Sequence, residues 1–500
     1  MNLHPDRLFP ADERVRAIAR ELHQRTADLP LVSPHGHVDP RLMSENRPFP
    51  DPARLFVVPD HYLTRMLYSQ GVTPDELGVP SVKGEASEVD GRTVWRRFAA
   101  HYHLFRGTPS KMWLDYTFAE VFGVYKDLSA DTADEFYDHL SARLTEPAYR
   151  PRALFDRFNI EVLATTESPI DSLDPHAELS QIPGAGGRKW GGKGGKVVTT
   201  FRPDNMIEPG WPGWGERIER LAELTGQDTS TFDGFLAALR QRRQDFIAAG
   251  ATCSDHGNLT AQTEDDPKAA AEIYAKALRG EADETEILRF PALMLTEFAR
   301  MSVEDGLVMQ LHPGSNRNHN RWLYEGWGRD VGGDIPMSTT YTEALIPLLD
   351  AFGNHPRFRI VLYTLDETVF SRELAPLAGG YSSVFLGAPW WFLDSPEGMR
   401  RFREAVHETA GFYNTAGFVD DTRAFCSIPA RHDVARRIDA AYLARLVAEH
   451  RMTEYEAAEV AVDLAYNLPR KVYGLDGPHP HGPSRRPPPP DTEGAARPLR

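Results

Sequence analysis

The chain of 500 residues is 41% hydrophobic and 26% charged, which is typical of folded globular proteins and excludes global disorder. Its 72 acidic and 56 basic residues give a net charge of −16, which disfavours nucleic-acid binding because that needs a basic surface. The two cysteines, Cys253 and Cys426, exclude a disulfide scaffold and a cysteine-based zinc finger. The sequence has no apolar N-terminal segment and no run of eighteen apolar residues, so we expect a cytoplasmic protein without a membrane partner.

The predicted elements begin with a helix over residues 13–25, where apolar residues recur at helical spacing after Asp12, a favourable N-cap. A short strand follows near residue 30 and ends in the segment SPHGHVDP. Residues 45–158 are rich in aromatic residues and show helical patterns without a strong strand. We therefore predict that this region is a helical subdomain inserted after the first strand.

Further strands are predicted along the rest of the chain, separated mostly by helical segments. They lie near residues 162, 198, 252, 308, 361, 384 and 418. Alternating strands and helices indicate a parallel sheet, and eight strands fit an α/β fold of the (β/α)8 TIM-barrel type. Each predicted strand ends in polar or aromatic residues, at the barrel end where catalytic groups lie.

Two segments are predicted to lie outside this barrel core. The glycine-rich segment 184–196 lacks the GxxxxGK[ST] spacing of a phosphate-binding loop, so we interpret it as a solvated surface loop. Residues 476–500 contain eight prolines and no large apolar cluster, which predicts a disordered tail. The predicted barrel therefore spans residues 1–475.

A pair of histidines, His35 and His37, ends the first strand. Side chains two residues apart on a strand point to the same side, and two imidazoles there suit a divalent metal such as zinc. A surface or hydrogen-bonded pair is the alternative.

Asp421 ends the eighth strand, which lies beside the first in a closed barrel, so it is expected to bind the same metal or act as a base. A helix N-cap is the alternative for Asp421. Arg423 is expected to pair with Asp421 and hold a substrate oxygen, or to form a plain salt bridge.

Polar residues at the third, fourth and fifth strand ends are further candidates. His312 is predicted to be a metal ligand or an acid–base group, or else a satisfied core histidine. Arg202 is a fork suited to a substrate carboxylate, although it also fits an ordinary surface arginine. Asp255, which precedes His256, is expected to accept hydrogen bonds from substrate hydroxyls or to brace Arg202.

The predicted subdomain and the seventh strand add aromatic and basic candidates. His61, Tyr62 and Arg65 are expected to close over the mouth of the barrel, with packing as the alternative. Trp390 and Trp391 are expected to stack on a sugar ring or to pack in the interior.

Taken together, these clusters resemble the uronate isomerases (glucuronate and galacturonate isomerases) of the amidohydrolase superfamily. The resembling segments occur in the family's order over about residues 10–475: SPHGHVDP, PDHYLTRML, TTESPIDSLDPHAEL, FRPD, SDHG, LHPGSNRNHN, APWWFLDSPEGM and DDTRAFCSIPARHDVARR. The resemblance implies a (β/α)8 barrel with an inserted helical region. It also implies an aldose–ketose interconversion, of D-glucuronate to D-fructuronate and of D-galacturonate to D-tagaturonate.

The resemblance also assigns roles to individual residues. In the family one zinc ion is bound by residues that match His35, His37 and Asp421. The arginine after that aspartate matches Arg423. The family's substrate-contacting residues match Tyr62, Arg202, Asp255 and His312. Many superfamily relatives also use a bridging lysine on the fourth strand and a histidine on the sixth, but this sequence has SDHG and TLDE there, so we expect one metal ion.

Some segments depart from the family pattern. This sequence has DDTRAF where the family has TDSRSF, and HGH where the family has HCH. It has YTLDETV in place of YCLNPRD, and GGDIP in place of a GFDSI-like segment. The departures affect the substrate-shaping loops more than the metal and arginine set, which points to a divergent branch with altered specificity. A mononuclear metal-dependent hydrolase or decarboxylase, an isomerase of another sugar acid, and a non-catalytic sugar-acid binding protein remain alternatives. We expect a sugar acid as the small-molecule partner and a homo-oligomeric assembly.

For an isomerase, the expected mechanism passes through an enediol and needs a carboxylate clamp, a base at C2 and an oxyanion stabiliser. Arg202 and a neighbour would clamp the carboxylate, and Asp421 with Arg423 would handle the hydroxyl proton at ring opening. Tyr62 or His312 would serve at C2, and the metal would orient or polarise substrate oxygens.

Overall fold

The computed structural model of the protein describes residues 3–82, 84, 89–182 and 195–476. The strands in this part of the chain are short, with two to five residues each. They are β1 (Leu31–Ser33), β2 (Ile160–Ala164), β3 (Lys196–Val198), β4 (Cys253–His256), β5 (Val308–Leu311), β6 (Ser315–Asn316), β7 (Ile335–Pro336), β8 (Ile360–Leu362) and β9 (Val384–Leu386). Strands β6 and β7 form an antiparallel ribbon in the loop after β5, and the other seven are parallel.

The seven parallel strands lie in two sheets, with the orders β1-β2-β3 and β4-β5-β8-β9. Phe201 joins the two sheets through a parallel bridge to Ser254. Its backbone N–H also donates to the carbonyl of Cys253 at 3.2 Å, and its carbonyl accepts from Asp255. The chain just after β3 thus continues the hydrogen-bonded strand order from one sheet into the other.

The strand predicted near residue 418 does not form a regular strand in the described chain, so this part of the prediction is wrong. An extended segment takes its place, with a parallel bridge between Thr415 and Leu386 of β9. It reaches the end of β1, where the backbone N–H of His37 donates to the carbonyl of Thr422 at 3.0 Å. Gly417 has a φ of +75°, a left-handed conformation that interrupts a strand ladder, which explains why no regular strand forms.

The interior of the barrel is filled mainly by small and β-branched side chains. Each parallel strand and the extended segment contributes at least one buried residue to a shared cluster, except β9, whose half-buried Phe385 packs against it. Cluster members from β1 to β5, β8 and the extended segment are Val32, Val162, Ala164, Val198, Cys253, Val308, Val361, Ala416 and Phe418. Such side-chain filling is typical of a (β/α)8 barrel, and the predicted α/β barrel class is confirmed.

Helices before β2 include those of the predicted subdomain. They are α1 (Glu13–Thr26), α2 (Arg41–Glu45), α3 (Pro52–Phe56), α4 (His61–Tyr68), α5 (Gly91–Ala100), α6 (Pro109–Tyr116), α7 (Ala133–Thr145) and α8 (Pro151–Arg157). The side chain of Asp12 accepts from the Val15 backbone N–H, so the predicted N-cap of α1 is confirmed. The described residues between 45 and 158 contain helices and no strand, while the domain boundary itself stays a prediction.

The remaining helices surround the barrel strands or follow the extended segment. They are α9 (Asp174–Gln181), α10 (Asp204–Ile207), α11 (Trp214–Thr225), α12 (Phe232–Ala248), α13 (Pro267–Leu278), α14 (Glu284–Asp305), α15 (Arg321–Trp327), α16 (Ile346–Phe352), α17 (Ala375–Gly380), α18 (Pro396–Ala410), α19 (Ile428–Ala448), α20 (Glu454–Val462) and α21 (Leu468–Val472). Single 3₁₀ or π-helical turns span Asp75–Leu77, Tyr102–Phe105, Thr117–Val121, Ala130–Thr132, Pro147–Tyr149, Glu367–Val369, Phe370–Leu374, Trp391–Leu393, Phe425–Ser427 and Asp463–Asn467.

An aromatic core holds α3 to α8 together and against β1 and β2. Its fully buried members include Trp95, Phe98, Phe118 and Phe122. Large aromatic side chains of this kind dominate the burial energy of a core, so this packing fixes the position of α4 beside the barrel mouth. No helix in the described ranges combines the length and apolarity needed to cross a bilayer. Most of the predicted surface loop at 184–196 and nearly all of the predicted tail lie outside the described residues.

Candidate active site

A cavity of about 790 Å³ opens at the carboxyl ends of the parallel strands, within the usual size range of small-molecule sites. Eleven of the twelve site residues predicted from the sequence line it. They are His35, His37, His61, Tyr62, Arg202, Asp255, His312, Trp390, Trp391, Asp421 and Arg423. Barrel strands and α4 therefore bring together residues that are up to 388 positions apart in the sequence.

Three of these residues form a group of potential metal ligands. His35 Nε2 lies 3.5 Å and His37 Nε2 lies 3.1 Å from Asp421 Oδ1. This carboxylate oxygen is buried and accepts no hydrogen bond, although both imidazoles are close to it. Ligand atoms around a tetrahedral zinc ion with bonds near 2.0–2.1 Å stand about 3.3 Å apart, so the spacing fits a single cation. Histidine nitrogen with carboxylate oxygen is also a donor set that zinc accepts.

The local backbone and the electrostatics favour this arrangement. Asp421 has a φ of +38°, an uncommon conformation for a non-glycine residue that is often found where function requires it. Burial lowers the pKa of His35 and of His37, which favours the neutral imidazoles that coordinate a cation. Burial alone would raise the pKa of Asp421, but the two histidines hold it below its ordinary value, so the carboxylate is ionised.

A chain of charged groups lies beside the metal-ligand group. His312 Nδ1 donates to Asp255 Oδ1 at 2.7 Å, and Arg202 Nη1 lies 3.0 Å from Asp255 Oδ2. Arg202 also donates from Nε to Asp204 Oδ2 at 2.8 Å. Asp255 therefore braces Arg202, one of the two roles predicted for it, and it also orients His312. His312 Nε2 is buried without a hydrogen-bond partner, so this residue is not a satisfied core histidine.

Aromatic rings pack around His312. Its ring stacks on that of Tyr363, with centroids 3.8 Å apart and planes at 18°, and on that of His35 at 4.9 Å. Trp390 meets it edge-on at 4.8 Å and is buried, whereas Trp391 is half-buried beneath the Arg317 guanidinium. Both tryptophans line the cavity, so packing and substrate contact are compatible for each of them.

The helical side of the cavity presents the first residues of α4. Asp60 caps this helix, because its carboxylate accepts from the backbone N–H groups of Tyr62 and Leu63 at 2.8 and 3.2 Å. The cap places the rings of His61 and Tyr62 at the cavity, stacked on each other at 4.5 Å. Burial, with the Arg423 charge, lowers the pKa of His61 to about 3, and burial raises the pKa of Tyr62. Both side chains are therefore neutral at physiological pH.

Two arginine predictions differ from the structure. Arg65 does not line the cavity, because its guanidinium carbon lies 5.2 Å from the centroid of the Phe392 ring. Arg423 lines the cavity but pairs with Asp330 at 3.5 Å and not with Asp421. The left-handed backbone of Asp421 directs its carboxylate to the histidines. Arg423 instead contacts Asp330, which lies in the loop between β6 and β7.

Several residues at or near the cavity have no role assigned to them from the sequence, among them Arg317, Glu167 and Gln310. Arg317 follows β6 and lies 3.9 Å from Asp330 and from Asp334, too far for a strong ion pair. Glu167, after β2, has one buried oxygen without a partner, and burial raises its pKa to about 7. Gln310 lies on β5 beneath His35. The strand-end position signalled Glu167, and alternation along β5 signalled Gln310 two residues before His312.

The fold and this site define a (β/α)8 barrel with a candidate metal centre and several arginines at its catalytic end. A model of the glucuronate isomerase family matches residues 13–473. Curated uronate isomerases match over nearly their whole length. The one from Xanthomonas euvesicatoria pv. vesicatoria is 55% identical over 95% of this chain and 99% of its own. The one from Phenylobacterium zucineum is 57% identical over 96% and 98%.

Solved structures agree with these matches. The crystal structure of glucuronate isomerase from Caulobacter crescentus superposes with a TM-score of 0.92, at 54% identity over 97% of this chain and 98% of the other. Uronate isomerase from Thermotoga maritima superposes with a TM-score of 0.86, at 29% identity over 95% and 100%. The chain belongs to the glucuronate isomerase family, and the resemblance inferred from the sequence is confirmed.

Proposed function

We propose that the protein is an aldose–ketose isomerase of uronates, which converts D-glucuronate to D-fructuronate, D-galacturonate to D-tagaturonate, or both. The observation that carries the proposal is the convergence of His35, His37 and Asp421 in a cavity that also contains several arginines. A uronate needs both features, because it presents hydroxyl oxygens to a metal and a carboxylate to arginines. Membership of the glucuronate isomerase family supports the same substrates.

One divalent metal, for which we propose Zn²⁺, would be held by His35, His37 and Asp421. When bound, it supplies a positive charge that polarises substrate oxygens. The residues fit this role because Asp421 Oδ1 is buried, ionised and without a hydrogen-bond donor of its own. Such a carboxylate oxygen is costly to bury unless it is compensated by a positive charge.

The substrate carboxylate would be held by arginines that line the same cavity. Arg202 is fixed in place by Asp204 and Asp255, so its fork is pre-organised and loses little freedom on binding. The charge of Arg202 is already shared with its two carboxylate partners. Arg317 has carboxylates only at 3.9 Å, so it would supply the additional positive charge for the substrate. Arg423 would hold a sugar oxygen close to Asp421, since both residues line the cavity.

The hydrogen bonds suggest separate roles at C2 for the two remaining groups. His312 donates from Nδ1 to Asp255, so its Nε2 carries the lone pair and can accept a proton. Tyr62 keeps its proton, because burial raises its pKa, and it can donate to a developing oxyanion. We therefore propose His312 as the base and Tyr62 as the proton or hydrogen-bond donor. Asp421 with Arg423 would move the hydroxyl proton at ring opening.

A direct assay tests the reaction class. Purified protein with its metal quantified is incubated with D-glucuronate and with D-galacturonate, and the products are followed by proton NMR. A ketose of the same mass is the expected product from at least one of them. Release of CO₂ or of a second product would instead identify the decarboxylase or hydrolase alternative on this barrel.

A cytoplasmic location and a homo-oligomeric state belong to the same proposal, and both rest on the sequence expectation. Light scattering coupled to size-exclusion chromatography tests the oligomeric state. A mass of one chain, 56.1 kDa, would contradict it.

A further inference from the structure

A buried glutamine lies directly behind one of the candidate metal ligands. Gln310 is on β5, is completely buried, and precedes His312 by two residues, so both side chains point to the same side of the strand. Its amide nitrogen lies 3.4 Å from His35 Nδ1, and its amide oxygen lies 3.4 Å from the hydroxyl of Tyr363. The amide therefore connects a ligand histidine to a group deeper in the barrel.

The deeper group is a pair of tyrosines. The hydroxyl groups of Tyr363 and Tyr473 are hydrogen-bonded to each other, and both side chains are buried. The ring of Tyr363 also stacks beneath that of His312. Gln310 and the two tyrosines thus form a continuous polar chain below the cavity floor, which ends at His35 Nδ1. Because a hydroxyl group can either donate or accept, this chain can run in either direction.

The direction of this chain decides which nitrogen of His35 carries the proton. His35 Nε2 is the atom close to Asp421, so a cation there needs the lone pair of Nε2. The proton must then be on Nδ1, which needs an acceptor. A half-turn of the Gln310 amide, which interchanges its nitrogen and oxygen, presents that acceptor. The amide nitrogen then donates to the Tyr363 hydroxyl oxygen, and the Tyr363 O–H donates to Tyr473.

The opposite orientation excludes a cation. If the Gln310 amide nitrogen donates to Nδ1, the proton of the neutral imidazole is on Nε2, and the lone pair faces away from Asp421. We propose that Gln310 is a positioning residue whose amide oxygen holds His35 in its metal-binding tautomer, and that the Tyr363 hydroxyl oxygen supplies the acceptor for the amide nitrogen in this orientation. This inference rests on the proposed metal-dependent function and names the residues that prepare its site.

Metal affinity, not activity, is the direct test. Zinc dissociation constants are measured by competition with a chelator for the wild type, Gln310→Met and Gln310→Glu. Methionine matches the size of glutamine without an acceptor, so we expect affinity to fall about 10- to 100-fold, the usual effect of losing such a partner. Glutamate keeps the acceptor for Nδ1–H, and its second oxygen can accept from the Tyr363 O–H, so affinity within about threefold of the wild type is expected.

Two further variants separate this role from simple packing. Gln241→Met makes the same change on α12, where Gln241 contacts Gln227, and is expected to leave zinc affinity unchanged. Tyr363→Phe keeps the stacked ring and removes the hydroxyl, so it is expected to weaken zinc binding by itself but to add nothing in the Gln310→Met background. The metal-free variants are compared by urea unfolding, which reports packing losses separately from metal binding.

The outcomes distinguish this inference from the proposed function. Wild-type protein that binds no stoichiometric zinc would overturn the metal site and this inference together. Wild-type binding with unchanged affinity in Gln310→Met would overturn the inference alone. Equal losses in the Gln310 variants with methionine and glutamate, or additive losses with Tyr363→Phe, would also overturn it. If Gln310→Met does not fold, the comparison of Tyr363→Phe, alone and combined with Gln310→Glu, still decides the matter.

Discussion

The two walls of the cavity are built in different ways. The strand-end wall places charged and imidazole groups at positions fixed by the barrel, and several of their polar atoms are buried without partners. The wall formed by α3 to α8 is an aromatic core, from which the capped start of α4 presents His61 and Tyr62. On the strand-end wall these atoms include an oxygen of the ionised Asp421 carboxylate, whereas on the helical wall they are nitrogens of the neutral His61 and Trp113 rings. An unpaired buried charge costs more than an unpaired neutral group, so it marks where a ligand is needed. Chemistry is therefore expected mainly from the strand-end wall, and closure and proton donation from the helical wall.

The largest expected effect is at the strand-end wall. Asp421→Asn removes the ionised oxygen shared by His35 and His37, so turnover is expected to fall at least about 100-fold, the size of a lost acid–base group. The measurement is kcat on the better uronate, with bound metal determined in parallel. Asp350→Asn, on the exposed side of α16, is the matched control and should retain full turnover. Near-normal turnover of Asp421→Asn would contradict the assignment of the chemistry to the strand-end wall.

Arg423→Met is expected to reduce turnover by about 100-fold as well, because it removes the charge that would hold a substrate oxygen near Asp421. Its present partner, Asp330, is the second half of this test. Asp330→Asn should cost less than Arg423→Met if the arginine acts on substrate. Equal losses in the two variants would show that the ion pair, and not the substrate contact, is what matters.

On the helical wall, Tyr62→Phe keeps the stack with His61 and removes only the hydroxyl. Turnover is expected to fall about 10- to 100-fold, while KM changes little, because a donor to an oxyanion acts mainly in the transition state. Tyr116→Phe, at the end of α6, is the control within the same helical region and is expected to leave kcat unchanged. A larger loss of turnover in Tyr62→Phe than in Asp421→Asn would show that the helical wall, and not the strand-end wall, carries most of the chemistry.

Both the successes and the failures of the sequence analysis have physical causes. His35, His37 and His312 line the cavity, where the sequence predicts them, because a parallel barrel gathers all its strand ends, whatever their separation in sequence. The eighth strand was misjudged because the left-handed backbone of Gly417 interrupts an otherwise strand-like segment. Arg423 was paired with the wrong carboxylate because its partner Asp330 lies in a loop whose course depends on tertiary packing.

The helical wall shows the same limit. The pattern around Asp60 predicts a helix start, but not which side chains of α4 reach the cavity. Tyr62 reaches the cavity and Arg65, one turn later, packs over Phe392. Strand register therefore carries information on the site that helix periodicity does not, since helix orientation is fixed by contacts between distant residues.

A pH-dependent stability test examines the unpaired atoms themselves. Burial raises the pKa of Glu167 to about 7, above its ordinary value near 4.5, so its stabilising contribution is complete below pH 4.5 and is lost as the pH rises through 7. At about 1.4 kcal/mol per pKa unit, the wild type should lose about 3 kcal/mol more than Glu167→Gln between pH 4.5 and 8. Urea unfolding at both pH values measures this. Parallel pH profiles for the two proteins would show that Glu167 is paired or hydrated in solution.

The smallest expected effect lies outside both walls. Removal of residues 476–500, the proline-rich segment predicted to be a tail, should leave kcat and KM unchanged. A loss of turnover after this deletion would mean that the C-terminal residues contribute to the site.

Discrimination between uronates and neutral sugars is the most direct test of the arginine clamp and of the isomerase reaction. Metal-loaded protein is assayed by proton NMR in deuterated water with D-glucuronate, D-galacturonate, glucose and galactose. Glucose matches D-glucuronate and galactose matches D-galacturonate, except for the carboxylate. A ketose is expected from a uronate, with solvent deuterium at C1, and none from either neutral sugar. Equal turnover of uronates and neutral sugars would contradict the arginine clamp, and no turnover of either uronate by protein with one bound metal would contradict the isomerase itself.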